Sequence, residues 1–204
     1  MTKKLPNFIT KEEFEKLFEA VRKKEQKAKS NSWKTTLRKY RLAMLLAFES
    51  GLRISEIVGY KGKSRRKEKV NGNPTDKVIV KDVNIPPLMS DMIDNVSLKV
   101  VSGKGRRDRI VPRPKRLNSA AVKMLPLKIP RRSLQGFVTR LGKKVLGKHI
   151  TFHSLRHGFL THLAAKGRPL HEIQMLAGHS RLDTTGIYLH CNPEEAIKGA
   201  RDVF

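Results

Sequence analysis

The chain has 204 residues, 38% of them apolar, enough to bury the core of one ordinary domain. Its 44 lysines and arginines against 18 acids leave a formal net charge of +26; a polyanion relieves that self-repulsion, so nucleic acid leads as partner over the other strongly basic classes, ribosomal and membrane-surface proteins. One cysteine, Cys191, excludes an internal disulfide, no Cys/His spacing suits zinc, and neither a signal core nor an apolar run of roughly 20 residues is found, so a cytoplasmic protein off the membrane is expected.

Thr10 and Glu13 form a Thr-x-x-Glu capping pattern, and Phe14, Leu17, Phe18 and Val21 follow at helical spacing. They predict an amphipathic helix from Thr10 that ends in the lysine-rich stretch before Ser30. Tyr40, Leu42, Leu45, Leu46 and Phe48 predict a second helix, stopped at Gly51, and a third runs from Arg53 to Val58. From Tyr60 to Asp76 a basic run (Lys61, Lys63, Arg65, Arg66, Lys67, Lys69) leads into Asn71, Gly72, Asn73 and Pro74, which predicts an exposed loop. Short β-branched runs at 78–83, 96–101 and 110–111 predict a small three-stranded antiparallel sheet. Within it the turn Ser102-Gly103-Lys104-Gly105 puts Lys104 at a hairpin tip. Further helices are expected from Arg131 to Leu146, Phe152 to Ala165, Leu170 to Leu176 and Pro193 to Val203. The fold class is α+β, mainly α-helical.

Three clusters carry chemistry. Arg53 follows a helix-breaking glycine in Gly51-Leu52-Arg53, and alone it reads as a buried arginine paired with Glu56 three residues on. His153 and Arg156, also three apart, share a helix face and can converge on one phosphate, whereas His157 and His162 read as structural or solvated. The third cluster, Gly178-His179 followed by Tyr188, pairs a histidine with a tyrosine whose hydroxyl, with an ordinary pKa near 10, needs cationic neighbours before it attacks. Two arginines and a histidine can stabilise a phosphoryl transition state without metal. Alone, Tyr188 reads as a core aromatic.

Together the clusters closely resemble the tyrosine recombinases, the phage-integrase and Xer group. That family's signature is Gly-Leu-Arg-x-x-Glu, a lysine on a β-hairpin, His-x-x-Arg, Gly-His and then a tyrosine; this chain matches it in order at Gly51 through Glu56, Lys104, His153 through Arg156, Gly178-His179 and Tyr188. The resemblance implies that Arg53 and Arg156 hold the scissile phosphate and that Lys104 donates a proton to the leaving 5′-oxygen. It further implies that His153 assists proton transfer, that His179 adds a hydrogen bond, and that Tyr188 attacks phosphorus to give a 3′-phosphotyrosyl link that reseals without ATP, metal or cofactor. Lys99 and the charges from Arg106 to Arg109 are alternatives to Lys104.

The implied partner is double-stranded DNA, with a tetramer on DNA, a monomer in solution and a nucleoid-associated protein as the expected states. Residues 1–204 read as one catalytic domain without the N-terminal DNA-clamping domain usual in the family, as in a fragment of a longer integrase. The basic run 60–76 reads either as a solvated loop or as an insertion gripping the DNA backbone through Lys61, Lys63, Arg65, Arg66 and Lys67, joined by Arg106 and Arg107. Rival readings are a type IB topoisomerase-like enzyme, a non-catalytic helix-turn-helix reader of DNA and a basic RNA-binding structural protein.

Overall fold

The computed structural model describes residues 8–70, 73–101 and 108–178. Helix α1 (Lys11–Lys27) starts where the capping pattern placed it: the Thr10 side chain accepts from the Glu13 amide, and the Glu13 carboxylate accepts from the Thr10 amide. Its buried stripe of Phe14, Leu17 and Val21 packs on α2 (Asn31–Glu49), where Phe14 stacks on Phe48 with ring centroids 4.0 Å apart. From Leu42 to Phe48 every residue of α2 is buried, so this helix is the core's axis, with other elements on all its sides. Helix α3 (Ile54–Val58) follows after Gly51, which turns the chain at φ +67°.

Helices α5 (Arg131–Leu146) and α6 (Phe152–Ala165) complete the main core, the first against α1 and the second against α2. Gly158 lets α6 approach closely, because a Cβ there would stand 2.6 Å from the Ile9 carbonyl oxygen and 2.7 Å from the Phe48 ring. The short α4 (Ser119–Val122), which the periodicity did not predict, precedes α5, and α7 (Leu170–Ala177) packs on α6 through Ile173 and Ala177. No helix among the described residues is long and apolar enough to cross a membrane.

The strands correct two expectations. The basic stretch predicted as a loop is strand β1 (Tyr60–Val70), paired antiparallel with β2 (Asn73–Ile85) in a long ribbon from Tyr60 opposite Ile85 to Val70 opposite Asn73. Its apolar partner residues lie on β2, and β1 itself reads as an almost unbroken polar and basic run, so it has no hydrophobic alternation for a sequence reading to find. The second correction is to the strand grouping: the mainly helical α+β class holds, but the described strands form two separate pairs instead of one three-stranded sheet. The second pair is β3 (Ser97–Val100) with β4 (Arg109–Pro112), Val100 opposite Arg109. That hairpin is moored to the helical body, since buried Ser50 donates from its hydroxyl to the Pro112 carbonyl at 2.7 Å.

Candidate active site

The last turn of α7 organises the site. Carbonyls at a helix C-terminus have no partner within the helix and carry its partial negative charge, so they attract cations. Three arginines from three different elements use them. Arg109 of β4 donates from Nε to the Leu176 carbonyl at 2.8 Å, Arg53 from Nη2 to the Ala177 carbonyl at 3.3 Å, and Arg156 of α6 also to the Ala177 carbonyl. Arg53 and Arg156, remote in the chain, thus meet on one oxygen atom. Arg156 also donates to the carbonyl of Gly51 and is 2% exposed, so the glycine that ends the α2 segment supplies a second anchor.

Glu56 binds two of these guanidiniums. Its Oε1 accepts from Arg53 Nη1 at 2.9 Å, and its two oxygens accept from Arg109 Nη1 and Nη2 at 2.9 and 2.8 Å in a bidentate pair. Its Oε2 also accepts from the Arg53 amide at 2.7 Å, which caps α3. The carboxylate side chain is 1% exposed and that of Arg109 4%. Burial pushes the Glu56 pKa up, but the hydrogen bonds and charges of Arg109 and Arg53 outweigh it and hold it down at about 2.

Arg53 is more open, with 21% of its side chain exposed. Together with His153 it lines a cleft of about 480 Å³ that Arg131, Gln135, Thr139, His149 and Thr151 help to wall. His153 stands in the first turn of α6, whose N-cap Thr151 accepts from the Ser154 amide. His157, one turn on, packs edge-on against it with ring centroids 4.6 Å apart. Desolvation, reinforced by Arg156 and Arg53, holds the His153 pKa below the ordinary histidine value; desolvation, then His153 and Arg156, brings His157 down to about 4. Both rings are thereby favoured in the neutral form, in which a histidine accepts a proton.

Of the six residues expected in the site, the structure places Arg53, His153 and Arg156 in one neighbourhood; Lys104, His179 and Tyr188 lie outside the described residues, as do Arg106 and Arg107. The expectation that Arg53 pairs with Glu56 holds together with its place in the cleft. Sequence reasoning missed Arg109, which it named only among the charges near Lys104. The signal available was the alternation of β4, in which Arg109 and Val111 are buried and Ile110 is 63% exposed. Lys61 and Lys63 lie exposed on β1, both on the ribbon face that carries Asn84 and Asp82 opposite them.

Comparison with known proteins adds lineage to this geometry. Residues 88–195 match the phage integrase family. A tyrosine recombinase of Thermosipho africanus is 30% identical over 217 residues, covering 98% of this chain and 62% of that protein. Among solved structures, the XerA recombinase superposes with a TM-score of 0.61 at 21% identity over 97% of this chain and 65% of that one. The XerH recombinase bound to its difH substrate gives 0.62 at 20% identity over 98% and 55%. The chain spans about three fifths of the length of the curated relatives it matches.

Proposed function

Since the chain belongs to the phage integrase family, we propose that it cleaves and rejoins DNA strands at a specific site, through a covalent link between Tyr188 and a 3′-phosphate. The observation that carries this reading is the convergence of Arg53 and Arg156 on the Ala177 carbonyl, with Arg53 opening into the cleft beside His153. Two fixed guanidiniums next to a neutral histidine suit a phosphodiester whose non-bridging oxygens gain charge as a nucleophile approaches.

In the proposed reaction the Tyr188 oxygen bonds to phosphorus while its proton passes toward His153, and the bond to the 5′-oxygen breaks as Lys104 gives that oxygen a proton. His179 adds a hydrogen bond to the phosphate. The phosphoester is conserved in the tyrosyl link, so attack by a 5′-hydroxyl from a second strand reverses the chemistry without ATP or metal. The DNA-bound XerH relative gives precedent for a DNA partner. The ribbon cations Lys61, Lys63, Arg65, Arg66 and Lys67, with Arg106 and Arg107, supply phosphate contacts that position the duplex without reading its sequence, and a tetramer on DNA is the assembly that strand exchange between two duplexes requires.

The test is incubation with a library of nicked suicide duplexes, from which the cleaved fragment diffuses away. A denaturant-resistant adduct is expected; it should vanish in Tyr188→Phe while DNA affinity stays within about twofold, because one hydroxyl adds little to a phosphate-dominated complex. A folded, DNA-binding protein that forms no adduct with any member of the library overturns the reading.

A further inference from the structure

We infer that Arg109 is a positioning residue of the strand-transfer site, a buried strut that holds Arg53 and the α7 C-terminus in the arrangement needed for cleavage. The inference rests on the strand-cleavage reading above. Arg109, like Arg53, bonds both the Glu56 carboxylate and the last turn of α7, but Arg109 grips both carboxylate oxygens and its side chain is 4% exposed against 21% for Arg53. Arg109 Nη1 and Nη2 grip Glu56, which in turn holds Arg53 Nη1 at 2.9 Å, and Arg109 Nε holds the Leu176 carbonyl at 2.8 Å.

Three segments that bear proposed site residues therefore meet at one guanidinium. Arg109 opens β4, the strand that follows Lys104 in the chain; Glu56 caps the helix behind Arg53; and α7 ends at Gly178, one residue before His179. Gly178 takes the left-handed conformation at φ +60°, and a Cβ there would stand 3.0 Å from Arg109 Cδ and 3.3 Å from its Nη1. The glycine of the Gly-His pair is thus required twice over, once by its backbone and once by the arginine lying against it. Lysine is no substitute for the strut, because a point charge cannot span a carboxylate and a carbonyl in a fixed fork.

Removing Arg109 takes the bidentate partner from a buried carboxylate that keeps its bond to Arg53, so Arg109→Leu is compared with the double variant Glu56→Leu/Arg109→Leu, which removes both members of the buried pair. Both are assayed with the full chain and the suicide duplex recovered by the unaltered protein, in single turnover with protein in excess. The amount of adduct reports the folded fraction, and the rate constant reports how well the site is aligned. Both variants are expected to bind duplex within about threefold of the unaltered chain, since the phosphate contacts lie elsewhere, and to cleave about a hundredfold more slowly, the cost of misplacing a reacting group by an ångström. Arg109→Lys should cleave at a rate between those of the unaltered chain and Arg109→Leu. A purely structural role predicts less adduct formed at an unchanged rate. Cleavage by either variant at the unaltered rate overturns the assignment while the recombinase reading stands; absence of adduct from the unaltered chain itself overturns both.

Discussion

Glu56 and His157 each tie the stability of the fold to pH, in opposite charge states. The Glu56 carboxylate is held at about 2, below its ordinary value near 4.5, so its contribution is present above pH 4.5 and is lost as pH falls through 2. His157 is held at about 4, below its ordinary 6.5. Its contribution is that of the neutral ring, present above pH 6.5 and lost as pH falls toward 4, because the unfolded chain takes up the proton first. His157→Asn should therefore flatten the loss of stability between pH 6.5 and 4, read as the urea midpoint at the two ends of that window. An unchanged slope would show that His157 is not the group responsible. Glu56→Gln acts lower, below pH 4.5, and at neutral pH it should destabilise the chain by about 3 kcal/mol or more, as expected when one partner of a buried pair is removed.

Among the elements, the crossing of α6 over α2 depends on one missing side chain. A Cβ at Gly158 meets backbone at Ile9 and an aromatic ring already stacked on Phe14, so neither neighbour yields cheaply. Gly158→Ala is expected to lower the unfolding free energy by about 1–3 kcal/mol, the usual cost of overpacking, in a denaturant titration; an unchanged midpoint would mean that the crossing adjusts freely. The elements also differ in how far their sequences disclosed them. α1, α5 and α6 were legible to within a few residues, because apolar spacing agrees with a capping threonine at the start of α1 and α6 and with the left-handed Gly147 at the end of α5. Of the β1–β2 ribbon, the run 78–83 was legible and falls within β2, but β1 was not, because its pairing is backbone to backbone and its sequence is a run of charges that reads as loop.

For the whole molecule, the charge of +26 predicts that the proposed affinity for DNA depends on salt. Lys61 and Lys63 share one exposed ribbon face, and if each meets a phosphate, Lys61→Ala/Lys63→Ala should make the slope of log affinity against log salt shallower by about 1.8, at about 0.9 per phosphate. An unchanged slope would mean that the ribbon does not touch the DNA backbone. The sequence alone disclosed the helical class and pointed to Arg53, His153 and Arg156, which the fold brings into one neighbourhood, because composition, helical spacing and short motifs are local properties of a sequence. It did not disclose that Arg53 and Arg156 meet on a single carbonyl oxygen, that Glu56 is buried between Arg53 and Arg109, or that Arg109 bonds both Glu56 and the end of α7. Those facts depend on α7 ending against β4 and α3, contacts between segments remote in the chain. A buried charge has no local signature: the partner that makes it tolerable is brought to it only when the chain folds.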